Sequence, residues 1–463
     1  MTQLCWIRRD IRLHDHHALS EALKNPGTYL AFIFDEHILS KLKNKKDFRL
    51  SFIMESLHEL EEALQEKGSS LIVRYGKPEE EIPKIVEEFK IKNVFCNKDY
   101  EPYAKKRDDL VAKKLKTMNV GFHQFKDSVF FEKNEVLTNT GGLYKVFTPY
   151  KNKWLEKFET NNKEIPLYQT NLKNLAQWKN PHSLLKKDFY QVTGFEKTEP
   201  VLRGGTKAAQ KLLKGFEKAL DHYDEERNFP AKPGTSNLSV YIRHGVISIR
   251  DMLRFASEKK STGAKTWVSE LIWRDFYQMI LDTYPHVVTG SFKRDYDKIK
   301  YIGSKKDFEA WCEGKTGFPI VDAAMRCLNE TGMMHNRLRM IVASFLCKTL
   351  LVDWRWGEAY FAEKLLDFDL AANSGGWQWS SSSGCDAQPY FRIFNPYSQS
   401  EKFDPDGTFI RQWVPELAHL KGKDIHKPEP LLSPDYPRPI VSYETNRVRC
   451  LEMYSVVKAD KQE

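Results

Sequence analysis

Over its first 125 residues the chain alternates short apolar runs with amphipathic stretches, and this rhythm restricts the N-terminal fold more than any other feature. Leu4 to Ile7, Tyr29 to Phe34, Ser70 to Tyr75 and Asn93 to Cys96 have strand length and are rich in β-branched or aromatic residues. Between two of these runs Phe52, Ile53, Leu57, Leu60 and Leu64 recur at helical spacing. A β-α-β-α order of this kind calls for parallel strands joined by right-handed crossovers. The expectation is an α/β domain over residues 1–130 with a parallel, five-stranded, doubly wound, Rossmann-like sheet. The turn after the first strand reads Arg8-Arg9-Asp10-Ile11-Arg12 and lacks GxGxxG, so it is no dinucleotide nest.

The pattern weakens from about Phe131 to Gly205, around Gly141-Gly142, Pro149, Pro166, Pro181 and Gly204-Gly205. That predicts a long connector over 131–205 that wraps the surface. After Thr206 the periodicity is helical. Val268, Leu271, Ile272, Met279 and Ile280 form one apolar stripe, and Leu338, Ile341, Val342, Phe345 and Leu346 another. Strand signals are scarce there, so residues 206–463 are expected to form an all-α domain.

Composition narrows the function classes. With 463 residues, 41% of them hydrophobic, the chain has ample material for a core and is no small disulfide scaffold. Lysine and arginine total 72 against 63 acids, a net charge of +9 that permits a polyanionic partner without identifying one. Eight of the 11 tryptophans lie between Trp267 and Trp413, a density that suits core packing, base stacking or electron transfer. Cys5, Cys96, Cys312, Cys327, Cys347, Cys385 and Cys450 form no CxxC pair, as expected of free thiols in a reducing compartment. No signal peptide and no membrane-spanning apolar run is visible.

Familiar chemistries fail one by one. Gly314-Lys315-Thr316 looks like the tail of a phosphate loop, but Glu309 stands where the first glycine is required. No HExxH pair occurs, so no metal site is expected, and no GxSxG elbow is present. The hydroxyl-rich segment Gly234 to Ser239 suits either a helix cap or a phosphate contact. Trp267, Glu270, Trp273 and Arg274 share one helical face, fitting a packing seam or a base-stacking cleft. Met333, Asn336, Arg337 and Met340 share another face. Asp367-Phe368-Asp369-Leu370-Ala371-Ala372-Asn373-Ser374-Gly375-Gly376-Trp377-Gln378-Trp379 brings together acids, an amide, a diglycine and two indoles, too much aromatic surface for a solvated loop.

These segments, with Trp6 to Asp15, Tyr144 to Tyr150, Glu313 to Gly317 and His335 to Met340, resemble the DNA photolyase and cryptochrome family. The resemblance runs nearly end to end and is closest to the bacterial class I cyclobutane pyrimidine dimer photolyases. It implies a non-covalent FAD in the helical domain. By motif, Tyr223, Thr235, Ser236, Leu238 and Ser239 correspond to phosphate-side contacts, and Trp267, Arg274, Arg339, Asp367 and Asp369 to groups around the rest of the flavin. Asn373 corresponds to the residue facing flavin N5. Trp273 and Trp379 correspond to the indoles that wedge a flipped-out dimer, with Glu270, Asn336 and Met340 as its other contacts. Arg337, Arg392 and Lys402 correspond to phosphate or lesion contacts.

The implied activity is that of a light-dependent carbon–carbon lyase. Excited FADH⁻ passes an electron to a pyrimidine dimer in UV-damaged DNA, the cyclobutane ring opens, and the electron returns. A monomer without membrane contact or obligate protein partner is expected, cytoplasmic in a prokaryote. The alternative is a cryptochrome-like blue-light photoreceptor without repair. Against it stand Trp273, Asn373 and the short C-terminal stretch after Asp435-Tyr436-Pro437.

The sequence departs from the family pattern at three points. Trp377 and Trp354 match the inner two members of the photoreduction triad, but Tyr301 occupies the outer position, so the end point is expected at Tyr301 or the nearby Trp356. Tyr103-Ala104 replaces the Asn-Glu pair of folate-binding relatives, leaving deazaflavin, a second flavin, another pterin-like dye or no antenna open. His16 replaces the usual Asn.

Overall fold

The computed structural model describes residues 2–161, 164–180, 183–185 and 189–459; Pro181, part of the expected connector, lies outside them. Five strands, β1 (Gln3–Ile7), β2 (Thr28–Asp35), β3 (Leu71–Gly76), β4 (Asn93–Asn97) and β5 (Gly121–Phe125), form one parallel sheet in the order β3-β2-β1-β4-β5. β1 is buried along its whole length, as a central parallel strand covered on both faces must be. The reversal of strand order between β1 and β4 is the doubly wound arrangement expected. β5 escaped the periodicity argument because Gly121, His123 and Gln124 interrupt its apolar character.

Local chemistry sets the crossover helices. Asp47 caps the Phe48–Gln65 helix by accepting from the Arg49 N–H at 2.9 Å. Pro78 opens the Pro78–Phe89 helix at its first position, where a missing N–H costs nothing. His16 caps the His17–Ala22 helix: its Nδ1 accepts from the Leu19 N–H at 3.0 Å, and its Nε2 lies 3.1 Å from Asp10 Oδ2. The imidazole therefore does the capping work of an Asn and supports the Asp10 carboxylate as well. Burial raises the Asp10 pKa, but contact with His16 outweighs it and leaves the group below its usual range.

The chain packs as two compact units. The first comprises Met1–Leu143, Tyr150–Lys218 and Ser236–Thr283; the second comprises Tyr144–Pro149, Ala219–Thr235 and Tyr284–Glu463. Residues 236–283, placed by sequence with the helical domain, thus pack with the α/β segment. The physical reason is a buried ion cluster. Arg12 and Arg250 both donate to Asp127 at 2.7 Å, while Asp15 accepts from Arg250 Nε at 3.0 Å and Ser248 Oγ at 2.6 Å. All four charged groups are buried. Burial raises the Asp127 pKa, but the two guanidiniums hold it far below the usual range.

The segment expected as a connector contains a helix, Phe147–Thr160. Tyr150, Trp154 and Phe158 recur every four residues and are buried, a stripe hidden in the sequence by the flanking Gly and Pro signals. Beyond β5 the regular elements among the described residues are all helices, joined by irregular segments. In the second unit, Leu338, Ile341, Val342, Phe345 and Leu346 of the Asn336–Lys348 helix enter a core with Phe318, Met325, Phe361 and Trp377.

Asp275 ties the Thr262–Thr283 helix to the rest of the first unit. It accepts from the backbone N–H groups of Phe130 and Phe131 at 3.2 and 3.1 Å and from Trp154 Nε1 at 3.1 Å. Burial pushes its pKa up to about 6, against the pull of those donors and of Arg274. A folded pKa above the unfolded one gives stability that is complete below about pH 4 and lost as the pH rises through about 6. The loss is about 3 kcal/mol. Asp275→Asn, which keeps an acceptor, should abolish this slope between pH 4 and 6 in thermal melts. Asp275→Ala, which strands three donors, should lower stability by at least about 2 kcal/mol.

Candidate active site

The first unit supplies residues of the Thr262–Thr283 helix. Trp267 is buried, tilted against Phe216 at 5.5 Å and edge-on to Phe255 at 6.1 Å. Glu270, Trp273 and Arg274 are half-buried on successive turns. Trp273 packs edge-on to Phe276 at 5.7 Å and tilted against Tyr277 at 5.3 Å, so its indole is held by neighbours on its own helix. Arg274 donates to the Ser128 carbonyl. In the hydroxyl-rich segment Ser236 is half-buried, Leu238 is buried and Ser239 is exposed. The Ser239–Arg243 helix has Leu238 at its N-cap and no side-chain cap, so these hydroxyls are not spent on capping it.

In the second unit the Asp367 to Trp379 run is mostly the Leu370–Ser380 helix. Asp369 caps it, accepting from the Ala372 N–H at 3.2 Å. Asp367, buried, accepts from Arg339 Nη2 at 2.8 and 3.0 Å, and Arg339 Nε is held by the Met334 carbonyl at 2.9 Å. Asn373 Nδ2 donates to the Glu358 carbonyl at 3.1 Å and to Glu358 Oε1 at 2.8 Å. Both amide protons are thereby committed, which leaves Oδ1 to present as an acceptor. Burial raises the Glu358 pKa, and Asn373 partly offsets this. Spacing gave no hint of Glu358, because it sits on the Trp354–Lys364 helix and meets Asn373 only through tertiary packing.

Trp377 lies in the core, edge-on to Phe361 at 5.0 Å and to Trp311 at 6.0 Å. Gly357 makes room for it: a Cβ there would sit 2.1 Å from Trp377 Cη2. Trp354, also buried, opens its helix behind the Asp353 cap, with the Arg355 guanidinium 4.8 Å from its ring. Tyr301 packs against the cores of this unit, and burial pushes its phenol well above the usual range.

Asn336 is the first residue of its helix and is exposed, rather than mid-helix as its spacing suggested; His335 caps that helix. Burial and nearby arginines push His335 down to about 4, so its ring is neutral at pH 7. Arg337 donates to Asn228 Oδ1 at 2.7 Å and lies 4.3 Å from the Phe403 ring, over which Lys402 also sits at 5.4 Å. Phe403 thus gathers two of the expected phosphate contacts. Asn228, which orients Arg337, carried no sequence signal. Met340 and Trp379 are half-buried, and Arg392 is exposed. Tyr223 is buried under the Arg227 guanidinium at 5.2 Å, and Thr235 is half-buried.

The donor set of the second unit suits a planar, multiply hydrogen-bonding ring: a guanidinium, carboxylates and an amide oxygen beside two glycines. Comparison with known proteins agrees. Residues 3–169 match the family model for DNA photolyase, and residues 267–456 match that for the FAD binding domain of DNA photolyase. A deoxyribodipyrimidine photo-lyase of Escherichia coli (strain K12) is 39% identical over 478 residues, covering 99% of this chain and 100% of that protein. A bacterial class III photolyase from Agrobacterium tumefaciens superposes with a TM-score of 0.87 at 32% identity, over 99% of this chain and 98% of that one. A cryptochrome from Synechocystis sp. PCC6803 has the same TM-score of 0.87 at 28% identity, over 98% of this chain and 99% of that one.

Gly357→Ala should displace the Trp377 ring and lower stability by about 3 kcal/mol. A thermal melt together with a shift in tryptophan emission would check this.

Proposed function

The chain belongs to the DNA photolyase family, and from that membership we propose that it is a deoxyribodipyrimidine photo-lyase, repairing cyclobutane pyrimidine dimers in DNA with light. The observation that carries the reading is the Asn373–Glu358 contact. An amide whose protons are committed elsewhere offers a neutral acceptor, suited to the N–H that a reduced flavin bears at N5. This favours repair over the photoreceptor alternative, as do Trp273 and the photo-lyase relatives.

The cofactor is FAD. Bound in its reduced form, it supplies light-driven electron donation to the dimer and recovers the electron after the ring has opened. The chain's own residues bind, orient and exclude water. By motif, Tyr223, Thr235, Ser236, Leu238 and Ser239 take the phosphate side, and Trp267, Arg274, Arg339, Asp367 and Asp369 the remainder. The Arg339–Asp367 ion pair holds both partners in place before any ligand arrives. Trp273 and Trp379 wedge the flipped dimer, while Glu270, Asn336 and Met340 contact its bases. Flipping costs a few kcal/mol and is cheapest at a damaged step, and stacking returns about 1–3 kcal/mol per base. Arg337, Arg392 and Lys402 contact phosphates and set register. Trp377, Trp354 and Tyr301 hold the family's three photoreduction positions.

Residues 1–130 form the antenna-type region, 131–205 the connector and 206–463 the flavin- and lesion-binding region, a functional division that the two compact units cut across. The antenna is left open among deazaflavin, a second flavin, another pterin-like dye and none. The reading includes a cytoplasmic monomer; among the described residues no helix is long and apolar enough to cross a membrane.

The decisive test is repair of a thymine-dimer oligonucleotide by reduced protein under blue light, with chromatography of the released cofactors. Repair with FAD released is expected, and no repair would overturn the assignment. Trp273→Ala should weaken lesion binding about 5- to 150-fold, the range of one lost stacking contact, with FAD content unchanged. Equal loss of both would place Trp273 at the flavin instead.

A further inference from the structure

Lys348 is the last residue of the Asn336–Lys348 helix and is completely buried. Its Nζ donates to Ser382 Oγ at 2.9 Å and to the Arg392 carbonyl at 3.2 Å. Both acceptors are neutral oxygens. The charged or titratable groups that act on it are Cys347, Cys450 and Arg392, with no carboxylate among them. Packing does not call for a lysine here: a methionine would fill much the same volume without the cost of taking an ammonium out of water. What the ammonium adds is a bridge. Ser382 lies just beyond the Leu370–Ser380 helix, which carries Trp379, and has a left-handed backbone with φ of 70°. Arg392 lies in the irregular segment between that helix and the Pro396–Phe403 helix. Its carbonyl is turned in to the lysine while the residue itself is exposed. The helix end has a second tie, the Tyr454 hydroxyl donating to the Ser381 carbonyl at 3.0 Å. Lys348 thus fastens the Arg392 segment to a point that is already fixed.

We propose that Lys348 is a positioning residue for lesion recognition: its buried ammonium sets the Arg392 segment against the end of the Trp379 helix, so that guanidinium and indole meet the damaged DNA at a fixed separation. The proposal rests on the lesion-binding reading of Arg392 and Trp379 given above. An arginine on a segment that is already ordered loses less freedom on binding, and the difference appears as affinity for the lesion. Undamaged DNA, held by charge along its backbone without a fixed register, gains little from the same ordering.

The charge matters as well as the contact, because a charge-assisted hydrogen bond is about twice as strong as a neutral one. Burial pushes the Lys348 pKa down to about 8; the neighbouring thiols oppose this and Arg392 adds to it. The other titratable groups of this region keep their protons through that range. Burial pushes the Cys450 thiol up to about 12 and the Cys347 thiol higher, and it lifts the phenols of Tyr301 and Tyr454 well above their usual range. Lys348 is therefore the group here that changes charge between pH 7 and 9, from cation below its pKa to neutral amine above it, and the bridge weakens as the pH rises.

Equilibrium binding of the holoprotein to a thymine-dimer oligonucleotide and to its undamaged counterpart, read in the dark by fluorescence anisotropy, tests this. Lys348→Met should weaken dimer binding about tenfold and keep both its flavin and its binding of undamaged DNA. Arg392→Ala should weaken dimer binding to a similar degree. The double variant should be no weaker than Arg392→Ala alone, since the lysine acts through the arginine. Additive losses, or wild-type dimer binding in Lys348→Met, would overturn the proposal. Should that buried change impair folding, the pH profile serves instead: the wild-type dissociation constant for the dimer should rise severalfold from pH 7 to pH 9, and Arg392→Ala should remove the rise. A flat profile, or a rise that persists in Arg392→Ala, would overturn the proposal. Wild-type dimer binding in Arg392→Ala would overturn it together with the placement of Arg392. A wild type that does not distinguish dimer from undamaged DNA would instead overturn the lesion-binding reading itself.

Discussion

The first unit depends on a set of buried charges. Arg12, Asp15, Asp127 and Arg250 come from three distant parts of the chain, with Arg254 as a second, partly exposed partner of Asp15, and removal of Asp127 leaves the buried Arg12 guanidinium without its carboxylate. Such a cluster adds little net stability over an apolar core of the same volume, but it accepts only one arrangement of its partners. It therefore fixes which helix lies against the loop after β1. That choice carries the Ile249–Ser257 helix into the first unit, with the site-bearing Thr262–Thr283 helix close behind it in the chain. Asp275 then anchors the second of these helices through three donors, and its burial pushes the carboxyl up to about 6 against their pull.

In the second unit the same logic operates on the polar groups proposed to meet the flavin. Arg339 and Glu358 are both engaged by protein, and each leaves a defined remainder: Asp367 is neutralised in place, and Asn373 is turned to offer its oxygen. The site is thus organised by its supporting contacts before any ligand binds, the economical way to hold a flavin and exclude water. The tryptophans show how one residue type serves several ends. Trp154 donates to a buried carboxylate, Trp273 is braced by neighbours on its own helix, and Trp377 occupies space that only a glycine at 357 can leave.

Much of this was legible in the residues. The β-α alternation gave four of the five strands, and the apolar stripes gave the helices that carry the candidate site. The ordered motifs pointed to the family that the comparisons then showed. What stayed hidden shares a physical cause. β5 lacked an apolar run, the helix Phe147–Thr160 was masked by glycine and proline signals, and Glu358, Asn228 and Asp275 act through partners far away in sequence. His16 looked like an unexplained replacement until its ring nitrogen was seen capping a helix.

The sequence by itself determined the α/β-then-helical order and the family, because periodicity and motif are properties of neighbouring residues; the FAD and the candidate residues are what the family resemblance implies. The tertiary structure alone decided how the chain divides into packed units, which proton of which amide is spoken for, and which indoles touch. Those depend on hydrogen bonds and ring contacts between segments whose separation along the chain carries no information about their distance in space.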